Sequence, residues 1–428
     1  MPKAFPPRET IMKNITLPTR LITAAVLTSA ILACAPRALA QTERVVYTFK
    51  NPSSGLNPWG GVTLDKAGNI YGVTYSGGLY GGGTVYKLSA SKNGTRVETV
   101  LHSFNPSGGD GSGPNGTLII DASGNLYGTT YSGGKDTCMP SYDVHGCGIV
   151  FKLIPRPNGT WVEQILHKFD AGDVDGMNPS AGLLSDAAGN LYGTATYGGS
   201  NGVGMVFELT HGTWTEKILF NLSNSAGANP VAALTSDASG NLYGTASQGG
   251  TESAGTVFEL TPTIAGEWNG IVLHNFGIGY DGYYPESGVT FDSAGNLYGT
   301  TFLAGSDGYG IVYELTPSAD GTWTETIIHN FTGNTGDAAQ PGPGMLVFDS
   351  SGNLYGASGT GGHAFSGAVF EFSPSAGGVW TEKLLYSFRA GPGGAYPSSA
   401  VTLDSAGNIF GTTGTEGGSN KSVYEVVP

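Results

Sequence analysis

The sequence predicts an all-β protein: a seven-bladed β-propeller of four-stranded antiparallel blades, its ring closed by the N-terminal strand pairing in the last blade. Three observations predict it. An octet returns seven times, each repeat holds four strand-like segments, and a segment near the N-terminus supplies the one strand the last repeat lacks. The octet is Asp-x-x-Gly-Asn-Leu/Ile-Tyr/Phe-Gly. Its copies begin at Asp65, Asp121, Asp186, Asp237, Asp292, Asp349 and Asp404, at intervals of 56, 65, 51, 55, 57 and 55 residues. A period near fifty with strand-like content points to blades around an axis rather than to a helical solenoid.

The third copy shows the four strands in order. Ala181 to Ser185 leads into the octet, Asn190 to Thr196 follows, Gly204 to Leu209 reads Gly-Met-Val-Phe-Glu-Leu, and Trp214 to Leu222 completes the unit. Each piece is short and rich in β-formers, with glycine or proline in the gaps. Asp-x-x-Gly fits the turn between the first two strands: the Asp side chain bonds free backbone N–H groups, and the glycine takes a positive φ that a Cβ would strain. The seven aspartates therefore read as turn formers rather than catalytic groups.

The third strand carries an aromatic residue in every copy, Tyr86, Phe151, Phe207, Phe258, Tyr313, Phe370 and Tyr424, which suits packing between neighbouring sheets. A tryptophan precedes the fourth strand in five copies, at Trp161, Trp214, Trp268, Trp323 and Trp380; Arg96 takes its place in the first. The seventh copy ends at Pro428 after its third strand. Thr42 to Phe49 matches Thr381 to Phe388 position by position, so pairing it with Ser422 to Val426 would close the ring and cover an exposed sheet edge.

Charged residues make up only 12% of the chain, aromatics reach 11%, and no block of like charge occurs, a composition that excludes disorder. Residues 1–40 differ in kind. Lys13 and Arg20 precede an apolar run from Leu21 to Ala33, and Ala38-Leu39-Ala40 before Gln41 has the form of a cleavage site. This reads as a secretory signal peptide, which would place the protein outside the cytoplasm, secreted, periplasmic or at the cell surface. Met1 and Met12 are both candidate starts, and Cys34 lies in an imperfect lipoprotein box. Without residues 1–40 the chain holds 14 basic against 32 acidic residues, a formal charge of −18. Such a surface repels nucleic acid and anionic membranes. No second apolar segment is long enough to span a bilayer, and a monomer is expected.

If strands alternate in direction, the turns after strands one and three share one face and the loops after strands two and four share the other. The first set is nearly identical between copies and reads as scaffold. The second varies, and a specific site can be built there without disturbing the ring. It contains the crossings between blades, with Asp110 before Pro114, Asp173 and Asp175 before Pro179, Asp281 before Pro285, and Asp337 before Pro341. It also contains Tyr75, Tyr131, Tyr197 and Phe302 after strand two. Asp110, Asp173, Asp175, Asp281, Asp337, Tyr75 and Tyr131 are the candidate ligand-binding residues, since carboxylates and aromatics converging on a funnel suit a polar ligand such as a glycan. The same Asp and Pro residues also satisfy ordinary turn chemistry. Asp170, Asp173 and Asp175 before Gly176 resemble a loose calcium set, with a spacing that departs from an EF-hand loop. Otherwise neither a cofactor nor a metal site is expected.

His102, His167, His274 and His329 occupy one fourth-strand position, where Phe220, Tyr386 and Tyr47 stand in other copies. Interchange with aromatics argues for packing. Copies on neighbouring fourth strands would lie about 15 Å apart, too far to share an ion bound at about 2 Å. Cys138 and Cys147 flank an insertion in the second repeat; in an exported chain a disulfide closing this loop is expected, stabilising by about 2.5 kcal/mol at most.

Gly124 to Thr130 (Gly-Asn-Leu-Tyr-Gly-Thr-Thr), Gly255 to Pro262 (Gly-Thr-Val-Phe-Glu-Leu-Thr-Pro) and Gly321 to Glu325 (Gly-Thr-Trp-Thr-Glu) together resemble the GloVer tandem-repeat family of exported bacterial proteins. The resemblance covers essentially all of residues 41–428. It implies an extracellular β-propeller, often tethered by one of several C-terminal anchors, with no established biochemical activity; this chain ends Glu425-Val426-Val427-Pro428 without one. No catalytic residues carry over. The expected function is a non-catalytic binding or interaction scaffold for a glycan or a cell-envelope protein. The alternative is a carbohydrate-active enzyme, a polysaccharide lyase or glycoside hydrolase with carboxylates in the central funnel. A purely structural envelope component is a third reading.

Overall fold

The structure, a computed structural model, describes residues 42–91, 95–135, 138, 146–170, 174–277, 280–389, 391, 394–397, 399–414 and 421–428. The leader expected at residues 1–40 and Asp173 lie outside the described residues. From Thr42 onward the chain forms seven antiparallel blades in a ring. Blade I holds Thr63–Leu64, Ile70–Thr74, Thr84–Ala90 and Arg96–Ser103, ordered outward from the axis. Blades II to VI repeat the plan.

In blade III the strands are Leu184–Ser185, Leu191–Ala195, Met205–Thr210 and Thr215–Asn221. Three of them match the sequence expectation within two residues at each end; the innermost is shorter. Its preceding residues bond outward to the neighbouring blade instead of along the ladder. The Thr129 hydroxyl of blade II donates to the Ala181 carbonyl at 2.8 Å, and Thr245 of blade IV donates likewise to Ser287 of blade V at 2.8 Å.

The octet turn is built as its residues require. In blade II one oxygen of Asp121 accepts from the Ser123 and Asn125 N–H groups, both at 2.9 Å, and the other accepts from Asn125 Nδ2 at 2.7 Å and the Tyr127 hydroxyl at 3.0 Å. Gly124 sits at φ 80°. The octet tyrosine has a second role, its ring meeting the tryptophan of the next blade: Tyr71 and Trp161 lie 6.5 Å apart, Tyr192 and Trp268 6.4 Å, and Tyr298 and Trp380 5.7 Å.

The last glycine of the octet faces the third-strand aromatic across the ladder, as in the Gly193–Phe207 and Gly299–Tyr313 pairs. A Cβ on Gly193 would lie 2.5 Å from the tip of the Phe207 ring. Seven apolar clusters, one at each junction between neighbouring blades, form around these rings. The hydroxyls of Tyr86, Tyr313 and Tyr424 are buried there without a hydrogen-bond partner. Four copies have phenylalanine at this position, and a buried unpaired hydroxyl costs about 1–3 kcal/mol. Tyr313→Phe is therefore expected to raise stability by about 1 kcal/mol, read as a higher urea midpoint.

Closure follows the sequence expectation. Thr42–Phe49 pairs antiparallel with Lys421–Val427, from Thr42 opposite Val427 to Phe49 opposite Lys421. Cys138 and Cys147 are bonded, with Cα atoms 5.3 Å apart, and both pack against the junction of blades II and III.

Each ladder between third and fourth strands carries one β-bulge, between Ile165 and His167 in blade II and between Val45 and Tyr47 in blade VII. A bulge re-aims the following side chain. Thus Glu163 faces blade I while His167, on the same strand, faces blade III.

Candidate functional site: an axial channel and four charged junctions

A channel of about 810 Å³ runs along the axis, lined by the innermost segments of all seven blades. Glycine and alanine recur along its wall because neighbouring backbones touch there. A Cβ on Gly60 would stand 2.6 Å from the Asn115 carbonyl oxygen, and one on Gly288 2.6 Å from that of Ala233.

Every crossing enters its innermost segment through one device, a left-handed residue followed by proline. The left-handed residues are Asn57, Gly113, Asn178, Asn229, Tyr284, Gln340 and Tyr396, with φ between 50° and 66°. The proline ring lies on the glycine that opens the third strand of the preceding blade; a Cβ on Gly148 would be 2.7 Å from Pro179 Cδ, and one on Gly204 2.5 Å from Pro230 Cδ. Glycine and proline thus account for each other.

Just past each proline the repetition stops. Trp59, Asn115, Ser180, Val231 and Glu286 occupy equivalent places in blades I to V and line the channel mouth. The Trp59 ring lies 4.4 Å from that of Tyr75, tilted by 36°, and Tyr131 and Tyr197 add aromatic surface to the wall. Glu286 is the sole carboxylate among the described lining residues, and burial raises its pKa above the ordinary carboxylate value.

The aspartates of the crossings stand elsewhere. Asp110, Asp175, Asp281 and Asp337 do not line the channel; their oxygens are turned back onto their own crossings. Asp110 accepts from the Asn105 and Gly111 N–H groups, Asp175 from Asp170 and Gly176, Asp281 from Gly277, and Asp337 from Thr332, at 2.6 to 3.0 Å. Asp170 is also paired with Lys135 at 2.8 Å.

Each of these four aspartates also meets the histidine of the strand before it, and a glutamate from the next blade joins them. His102 Nε2 lies 3.0 Å from Asp110 and 3.6 Å from Glu163; His167 lies 3.6 Å from Asp175 and 3.7 Å from Glu216. His274 lies 3.3 Å from Asp281 and 3.8 Å from Glu325; His329 lies 3.1 Å from Asp337 and 3.7 Å from Glu382. The histidine rings do pack edge-on against phenylalanines, His102 on Phe104 and His167 on Phe169, at 4.7 and 4.6 Å. Packing was the expected role; the carboxylate partners were not foreseen.

Burial pushes the glutamates up, Glu163 to about 8, Glu216 to about 7, Glu325 to about 9 and Glu382 to about 8, and the adjacent aspartate charge adds to the shift. Asp337 goes the other way, to about 2: burial opposes ionisation, but hydrogen bonds from His329 and Thr332 outweigh it. Burial lowers the His102 pKa, yet the bond to Asp110 and the two nearby carboxylates leave it raised.

The remaining junctions follow a rule of substitution. Where tyrosine replaces histidine the glutamate stays, as in the Tyr47 hydroxyl donating to Glu98 at 2.7 Å and in the Tyr386–Glu43 pair. Where phenylalanine replaces it, at Phe220, the facing residue is Gly270, where a Cβ would run into the ring. An aspartate occurs in the crossing only where histidine does. The signal was present in the sequence, since Glu163, Glu216, Glu325 and Glu382 each stand two residues after a tryptophan and Gly270 breaks that series.

An all-β ring with one variable mouth defines a repeat-built propeller. The chain belongs to the Gloeobacter/Verrucomicrobia repeat family, whose pattern matches residues 36–139, 139–290 and 265–427. No match to a curated protein sequence was found. Solved structures with a similar course include a putative gluconolactonase, 15% identical over 74% of this chain and 89% of its own, with a TM-score of 0.40. A gluconolactonase from Xanthomonas campestris is 11% identical over 90% and 89% with a TM-score of 0.41, and a luciferin-regenerating enzyme 12% identical over 91% and 95% with 0.40. Likeness at this level bears on neither activity nor ligand.

Proposed function

We propose that this protein is an exported, non-catalytic binding module that holds a polar ligand with one apolar face, of the glycan class, at the channel mouth. The supporting observation is where the repetition breaks. The octet, the third-strand aromatic, the tryptophan and the proline each serve packing or turns, whereas the residues just past the prolines differ from blade to blade and face open space. Trp59, Tyr131 and Tyr197 offer stacking surface; Asn115, Ser180 and Glu286 offer hydrogen bonds. The acidic surface disfavours anionic ligands. Glycoside hydrolysis by two carboxylates about 5–10 Å apart would find only Glu286 among the described lining residues. The disulfide and the leader-like residues 1–40 support an oxidising compartment.

The test is a glycan array probed with residues 41–428, followed by titration of any hit against Trp59→Ala and Glu286→Gln. Loss of Trp59 is expected to weaken binding by at least about tenfold, as for a central aromatic anchor. Saturable binding indifferent to both changes would remove the channel mouth as the site.

A further inference from the structure

We propose that the four His–Asp–Glu junctions are divalent-cation sites of the zinc class, stitching blade I to II, II to III, IV to V and V to VI. In each, one histidine nitrogen and one oxygen from each carboxylate lie within 4.8 Å of one another. The histidine-to-carboxylate separations of 3.0 to 3.8 Å bracket the edge of a tetrahedron with bonds of 2.0–2.1 Å, about 3.3 Å.

Direct hydrogen bonding joins His102 to Asp110 and His329 to Asp337 but leaves the other two histidines unsatisfied. His167 Nε2 and His274 Nε2 are buried with no hydrogen-bond partner although each stands between two carboxylates, and one oxygen of Glu163, Glu216, Glu325 and Glu382 is likewise buried and unpartnered. A divalent ion offsets the charge of the two carboxylates when both are ionised to ligate it. One imidazole with two carboxylates suits zinc, whereas calcium takes six to eight oxygens. Three protein ligands leave a fourth position for water. The substitution rule within the chain points the same way: all four histidines come with both carboxylates, whereas Phe220 is accompanied by the loss of both the glutamate, replaced by Gly270, and the crossing aspartate.

The experiment uses untagged protein from Gln41 to Pro428, stripped with chelator, then titrated with zinc chloride by calorimetry and checked by elemental analysis after dialysis. Four equivalents are expected, with a rise in melting temperature. His274→Phe with Glu325→Gly copies the ion-free third junction into the fourth and is expected to fold and to bind three equivalents. Glu382→Gln, which keeps side-chain shape, is expected to do the same at blades V and VI. Stripped protein that takes up no zinc at micromolar free ion, or both variants binding as much as the parent, would overturn the proposal.

Discussion

Removing Thr42–Phe49 from the chain is expected to abolish cooperative folding. The segment supplies the whole outer strand of blade VII, and its loss leaves Lys421–Val427 as an open edge. Phe49 is only 4% exposed and lies 4.9 Å from Tyr86 of blade I, so the strand belongs to two blades. Tyr47 donates to Glu98 across the same junction, and Arg44 pairs with Glu425. Deleting one buried phenylalanine costs about 3–5 kcal/mol, against a total stability of about 5–15 kcal/mol. Loss of a full strand with it exceeds that reserve. Circular dichroism should show no sharp melting transition, and size exclusion should show aggregates formed through the open edge. Appending residues 42–49 after Pro428 through a flexible linker, with the original segment absent, should restore the transition. A truncated chain that melts like the parent would contradict the closure.

Phe207→Ala is expected to lower stability by about 3–5 kcal/mol. Phe207 is fully buried at the junction of blades II and III and lies over Gly193, which has no side chain to fill the space it vacates. The complementary change tests the same contact from the other strand. Gly193→Val has no backbone strain to overcome but drives methyl groups into the ring, an overpacking worth about 1–3 kcal/mol. Joined with Phe207→Leu, its cost should fall below the sum of the single changes, because the two positions share one volume. Urea denaturation of the four proteins gives the coupling directly; strict additivity would mean that ring and glycine do not meet.

Much of this architecture is legible in the chain because each repeated residue solves a local problem. The Asp-x-x-Gly turn, the third-strand aromatic and the matching Thr42–Phe49 and Thr381–Phe388 segments could be read without coordinates. Two features could not. Alternation gives the face of a loop but not the direction of a side chain, so it places the crossing aspartates at a funnel they do not face. Asp110 and its equivalents turn back onto backbone N–H groups, while the residues past the prolines, Trp59 to Glu286, take the channel wall. The histidine junctions were hidden by the bulge before each histidine. Strict period-two alternation would put Glu163 and His167 on one face; the extra residue sends them to opposite blades.

The position of the mouth depends on the circle being closed by the first strand, and amide hydrogen exchange tests that without altering the chain. In residues 41–428, the amides of Thr42–Phe49 that bond to Lys421–Val427 should be protected to the same degree as those of Trp380–Ser387 that bond to Ala368–Pro374, the equivalent ladder of blade VI. Exchange of Thr42–Phe49 at the rate of an unstructured peptide, with blade VI protected, would contradict the ring.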